Sequence, residues 1–149
     1  MFLITRRSVL LLGAGLAFTL IAADEAAATP AETDAELQKF TGGAAAEAGK
    51  IAIDLPEIAE NGNTVPLTIK VDSPMTADDY VSEILVLADG NPNPRVVRFH
   101  LTADAGRAEI GTRIRLNATE NVIVAAKTSA GRFYAERKVV KVTVGGCGG

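Results

Sequence analysis

Val65-Pro66-Leu67-Thr68-Ile69-Lys70-Val71 sets four aliphatic residues in strict alternation with Pro, Thr and Lys. A period of two is the mark of a strand with one buried face. The same rhythm recurs further along the chain. Val97, Phe99 and Leu101 alternate with Arg98 and His100. Ala108, Ile110, Thr112, Ile114 and Leu116 face away from Arg107, Glu109, Arg113 and Arg115. Val140, Val142 and Val144 alternate with Lys141 and Thr143, while Phe133 and Ala135 lie out of phase with them. That phase change predicts a bulge near residues 136–138. Segments 81–88 and 122–126 are apolar on both faces, as expected of central strands or of strands whose outer face meets another protein. Asn61-Gly62-Asn63, Asp72-Ser73-Pro74, Asp89-Gly90-Asn91-Pro92 and Ser129-Ala130-Gly131 punctuate the runs as turns. With residues 51–55 included, the reading is an all-β chain of about seven short strands, spaced as in a β-sandwich.

Upstream of the strands the pattern changes. Thr33-Asp34-Ala35-Glu36 fits a capping box with Thr33 as N-cap, which predicts a short helix over 34–40 closed by Gly42-Gly43. Residues 44–49 read as a small-residue connector. Residues 1–28 read as an export leader. Arg6 and Arg7 precede an apolar run over 9–23, about 15 residues and short of the roughly 20 a membrane-spanning helix needs. Ala26-Ala27-Ala28 supplies the small residues of a cleavage site, so the mature chain is expected to start at Thr29. Thr5-Arg6-Arg7-Ser8-Val9-Leu10 resembles a twin-arginine (Tat) signal, a receptor-read address. That route carries folded cargo, and with no convincing cofactor ligands in the chain it points to a partner subunit. The expected organisation is a leader over 1–28, a helix and connector over 29–50, a sandwich over 51–144 and an arm over 145–149.

Composition narrows the chemistry. The 149 residues carry a formal charge of −3, whereas nucleic-acid binding requires a basic surplus. One Cys and one His cannot furnish a four-ligand structural zinc site, and a single Cys cannot form an internal disulfide. Gly43 to Lys50 imitates a phosphate-binding loop, but five residues separate its glycines and Ile51 stands where a hydroxyl should hold magnesium. Asp72, Asp78 and Asp79 do not have EF-hand spacing and read as a solvated turn. His100, on the polar side of a strand, reads as a surface residue. Arg98, Arg107, Arg113 and Arg115 form a solvated face or a surface for an acidic partner or anion. Asn117-Ala118-Thr119 has the glycosylation pattern, which does not fit a twin-arginine address. No catalytic dyad or metal set is visible, so an enzyme is not expected and no cofactor is expected.

The chemistry lies at the C-terminus. The last strand runs into Gly145-Gly146-Cys147-Gly148-Gly149, with the only thiol flanked by four glycines. Such a tail is expected to be flexible, and the backbone from Val144 to Cys147 spans about 10 Å. Its neighbours have no side chains, so the sulfur can enter a narrow site. An ordinary thiol with a pKa near 8.5 is about 3% thiolate at pH 7. Nothing in the tail sequence lowers that value, so Cys147 suits a handle that other enzymes activate better than a nucleophile acting alone.

Val142-Thr143-Val144-Gly145-Gly146-Cys147-Gly148-Gly149 resembles the C-terminal arm of the SoxY family, the sulfur-carrying subunits of the periplasmic Sox thiosulfate-oxidation system. Phe40-Thr41-Gly42-Gly43, the stretch from Leu55 to Pro66, Val71-Asp72-Ser73-Pro74-Met75 and Ala88-Asp89-Gly90-Asn91-Pro92 share the resemblance. It implies an immunoglobulin-like sandwich paired with a SoxZ-like sandwich subunit. It also implies that Cys147 carries sulfur intermediates covalently, with Gly145, Gly146, Gly148 and Gly149 as the arm. A cytochrome c complex (SoxAX) would conjugate thiosulfate to the thiol and a hydrolase (SoxB) would release sulfate. Where present, a sulfane dehydrogenase (SoxCD) would oxidise the remaining sulfur. The turns at 61–66 and 89–92 acquire no chemical role from the resemblance. Two other readings of the residues stay open. One is a structural sandwich that dimerises through Cys147. The other is a thiocarboxylate carrier using Gly148-Gly149 as an activated terminus.

Overall fold

The computed structural model describes residues 27–146. Helix α1 (Pro30–Thr41) opens the described body, and its cap is Thr29 rather than Thr33. The Thr29 hydroxyl accepts from the Glu32 N–H at 3.2 Å, and the Glu32 carboxylate accepts from the Thr29 N–H at 2.8 Å. The Thr-x-x-Glu spacing occurs at both places, and Pro30 decides between them: its fixed φ suits the first helical position, where no N–H is needed. Thr33 lies one turn inside, buried, with its hydroxyl donating to the Thr29 carbonyl. Gly42 closes the helix in the left-handed region at φ 64°, where a side chain would be strained.

Eight strands follow: β1 (Ile51–Asp54), β2 (Ile58–Asn61), β3 (Val65–Val71), β4 (Val81–Ala88), β5 (Arg95–His100), β6 (Ala108–Ile114), β7 (Glu120–Thr128) and β8 (Phe133–Val144). They form a three-stranded sheet, β1-β3-β6, and a five-stranded sheet, β2-β8-β7-β4-β5. The strand absent from the sequence reading is β2. It has four residues, only Ala59 of them buried, too little apolar content to announce a strand. It pairs parallel with the far end of β8, setting Asn61 opposite Val144.

The inner faces of the two sheets share one core, with Leu67, Ile69, Ile84, Val86, Val124 and Val140 buried in it. The doubly apolar strands β4 and β7 are central, and their outer face is covered by this chain's own helix. Leu37 and Phe40 of α1 pack over Leu85, Leu87, Ile123 and Ala125. The same helix explains the phase change in β8, which contains no bulge: its register against β7 is continuous from Glu120↔Val140 to Lys127↔Phe133. Tyr134 keeps the core phase of Val140. Ala135 joins the helix-covered cluster, and Phe133 meets Phe40 edge-on at 5.9 Å between ring centroids. Irregular register occurs instead on β4, between Val81 and Glu83 and between Val86 and Leu87. The connector is tied down as well, since the Glu47 N–H donates to the Phe133 carbonyl and the Ala135 N–H to the Glu47 carbonyl.

Candidate functional site

The end of β8 sits where the two sheets meet. The Gly62 N–H donates to the Val144 carbonyl at 2.7 Å, and the Leu116 N–H donates to the Gly62 carbonyl at 2.9 Å. The Gly146 N–H then donates to the Leu116 carbonyl at 2.9 Å. Gly62 follows β2, and Leu116 follows β6, so these bonds join both sheets to the start of the tail. The contact is backbone on backbone. A Cβ on Gly62 would overlap the Leu116 carbonyl and lie 2.9 Å from the Gly146 nitrogen. A Cβ on Gly145 would overlap the Asn117 carbonyl, and one on Gly146 would overlap Gly62 and Asn63. Gly62 and Gly145 do not have positive φ, so closeness and not left-handed backbone demands glycine there.

The first two residues of the arm expected over 145–149 lie within the described residues. Gly145 and Gly146 are held against the body, and Gly146 is buried. The Gly146 amide is bonded and enclosed, while Gly145 stays exposed. Cys147, Gly148 and Gly149 lie outside the described residues.

A buried polar group fixes the loop beneath the tail. The Asn117 N–H donates to Asn91 Oδ1 at 2.8 Å and to Glu120 Oε1 at 3.0 Å. The Gly90 N–H donates to Glu120 Oε2 at 2.7 Å, and Asn91 Nδ2 donates to the Arg115 carbonyl. Asp89 receives the Asn121 N–H and Nδ2. Next along the loop, the Thr119 hydroxyl accepts from the Val142 N–H of β8 at 3.0 Å. Glu120 is only 4% exposed. Burial pushes its carboxyl above the ordinary value, against the opposing pull of bonds from Gly90, Ala118 and Asn117. The Asp89-Gly90-Asn91 turn therefore acts on the tail through Asn117.

The other singled-out residues lie apart from this end. Lys50 pairs with Asp72 at 2.9 Å, and the glycine-rich stretch before it runs into β1 and not into a helix. His100 is exposed at the end of β5. Arg98 pairs with Glu83 at 3.6 Å and stacks over Phe40. Arg113 and Arg115, with Arg95, line a groove between the open edges of β5 and β6. Arg107 is exposed beyond it. Among the described residues no group of three His, Cys, Asp or Glu is placed to hold a metal, and no helix is long and apolar enough to cross a membrane. Ala28, assigned by the sequence reading to the leader, is buried and donates its N–H to the Asn91 carbonyl at 2.8 Å.

Residues 37–147 match the family described as sulfur oxidation protein SoxY. The chain belongs to the SoxY family. Among solved structures it is similar to the sulfur carrier protein SoxY from Chlorobium limicola f thiosulfatophilum, at 28% identity and a TM-score of 0.60, covering 76% of this chain and 98% of that one. Superoxide reductase (neelaredoxin) from Ignicoccus hospitalis gives a TM-score of 0.57 at 17% identity, over 78% of this chain and 94% of that one. Superoxide reductase from Nanoarchaeum equitans gives 0.54 at 11% identity, covering 64% of this chain and 100% of that one. At such identities these two share the fold alone. No match appears among curated protein sequences.

The SoxY match begins within α1, spans the sandwich and ends at Cys147, one residue beyond the seated Gly146. Gly62, Asn91, Asn117 and Glu120 were missed as residues that bear on this end. A signal for Gly62 and Asn91 was present in the turns that resemble the SoxY family without a chemical role, whereas Asn117 and Glu120 lie outside the stretches that carry the resemblance.

Proposed function

We propose that this chain is a covalent sulfur carrier in an exported thiosulfate-oxidation system, with Cys147 as the attachment site. The observation that carries the reading is the position of the only thiol. It follows directly on a backbone held against the sandwich, at the last residue matched to the SoxY family. Attachment of thiosulfate forms an S–S bond between Cys147 Sγ and the outer sulfur. The thiol proton is released, and two electrons pass to an acceptor such as the cytochrome c complex SoxAX. Water then cleaves the bond between the sulfane sulfur and the sulfonate group, releasing sulfate and leaving a persulfide on Cys147. That is the step assigned to a SoxB-like hydrolase, and a SoxCD-like dehydrogenase would oxidise the persulfide sulfur further. The covalent link retains a reactive intermediate while one atom visits several sites.

In this reading residues 1–28 are a twin-arginine leader, the mature protein is periplasmic, and a SoxZ-like sandwich is its partner. Residues 29–50 and 51–144 form the body that presents the arm over 145–149. N-terminal sequencing of the exported chain checks the leader; a mature chain that retains Ala28 keeps its bond to Asn91.

Intact-mass measurement on protein from thiosulfate-grown cells tests the carrier. Thiosulfonate or persulfide adducts are expected on the C-terminal peptide, absent from Cys147→Ser, with stability changed by less than about 0.5 kcal/mol. Sulfur on the terminal carboxylate would instead support a thiocarboxylate carrier. A Cys147 disulfide dimer without any adduct would support a structural module.

A further inference from the structure

We propose that the Asn61-Gly62-Asn63 turn is the seat of the arm's root, with Gly62 as a positioning residue that fixes where the thiol leaves the sandwich. The proposal deepens the carrier reading and rests on it for the role of the thiol. Three facts support it. The bonds Gly62 to Val144, Leu116 to Gly62 and Gly146 to Leu116 run in series, so the root is bonded to elements of both sheets. Gly62 and Gly146 exclude a side chain from each other's space, and Gly145 excludes one by lying on the Asn117 carbonyl. The loop forming the other wall is itself immobilised, by Asn91 and Glu120 on the Asn117 N–H and by the burial of Leu116.

The first two glycines of the arm thus have a task distinct from slimness. They allow the tail to lie in a slot only one backbone wide. With Gly146 seated, the Cys147 Cα is one virtual bond, about 3.8 Å, beyond the last fixed Cα. A tail free from Gly145 onward would instead let the sulfur sweep the full span from Val144. The thiol's reach is then limited to the neighbourhood of the seat, so an enzyme that processes it must bring its active-site mouth against the rim formed by residues 61–63 and 117–119.

Amide hydrogen exchange on the full-length mature chain, together with thiol reactivity, tests this. The Gly146 amide is expected to exchange slowly in the wild type and about tenfold or more faster in Gly62→Ala, where the root is expelled while core amides of β4 and β7 remain protected. Should Gly62→Ala fail to fold, Gly146→Ala serves as the second variant, because a terminal tail can leave its slot without moving the body. In either variant Cys147 should react with iodoacetamide at the wild-type rate, while thiosulfate-dependent loading by the partner enzymes falls about tenfold or more. A Gly146 amide that exchanges at the free-peptide rate in the wild type would overturn the seat. Loading at the wild-type rate with the root released would overturn positioning. Absence of any sulfur adduct on wild-type Cys147 would refute the carrier reading, yet leave the exchange result intact, so the two failures are distinguishable.

Discussion

The outer face of the five-stranded sheet and the end of the sandwich that holds the tail are closed by opposite means. Under α1 the seal is made of side chains: Leu37 and Phe40 fill the space over Leu85, Leu87, Ile123 and Ala125. At the tail the seal is made by their absence, with Gly62, Gly145 and Gly146 bringing three backbone segments into direct contact. Apolar packing of the first kind is non-directional and tolerates repacking. A backbone slot of the second kind has no such slack, because peptide groups cannot change rotamer. What differs is the failure mode. The helix-covered face should lose stability by degrees, whereas the tail slot should lose position with little change in global stability.

The largest effect belongs to the first region. Leu87→Ala removes a fully buried side chain from beneath α1 and should cost about 2–5 kcal/mol, the range for Leu truncation in a core. Urea unfolding measures this. Gly146 amide exchange in the same variant should stay near the wild-type rate while the fold holds. A collapse of Gly146 protection in step with stability would show that the two regions are one cooperative unit.

A smaller loss is expected at the wall of the slot. Asn91→Ala deletes the acceptor of the Asn117 N–H and the donor to the Arg115 carbonyl. Leaving buried backbone groups with fewer partners costs about 1–3 kcal/mol, and these two are only partly buried, which puts the loss at the lower end. Here the order of effects should invert: stability falls less than in Leu87→Ala, but Gly146 exchange accelerates. Unchanged exchange would mean that Glu120 alone holds Asn117 in place.

The same contrast sorts what the sequence made legible. Alternation in β3 and β6 and the doubly apolar runs in β4 and β7 announced the sandwich, because burial by side chains leaves a period in the sequence. The glycine tail is what singles out Cys147 for the proposed attachment, being a composition no packed strand would adopt. Gly62 left no such trace. A glycine between two asparagines reads as a turn whether or not another backbone lies against it, and its neighbours Leu116 and Gly146 are remote in sequence. β2 was missed because pairing with β8, not burial, makes it a strand. The helix cap is ambiguous in the pattern because two Thr-x-x-Glu sets stand four residues apart, and Pro30 at the first helical position decides for Thr29.

The smallest effect is one of slope, and it concerns Glu120, the more deeply buried of the two carboxyls behind the slot. Burial raises the Glu120 pKa above the ordinary carboxylate value, with bonds from Gly90, Ala118 and Asn117 pulling the other way and Asp89 adding to the rise. Between the ordinary value and the raised one, the folded chain binds more protons at this site than the unfolded chain. Stability from Glu120 therefore falls as pH rises through the folded value, and it is regained on acidification until the ordinary carboxylate range is reached. Glu120→Gln abolishes the titration while preserving size. Urea unfolding of both proteins in steps from pH 7.5 to about pH 5 should show the wild type gaining on Glu120→Gln as pH falls. Gly146 exchange, corrected for the intrinsic effect of pH, should slow over the same steps in the wild type alone if the neutral carboxyl still accepts from Asn117. The opposite slope would mean that the three backbone N–H donors outweigh burial. Glu120 would then hold the wall of the slot as a charged acceptor, and the tail end would be an electrostatic closure as well as a steric one.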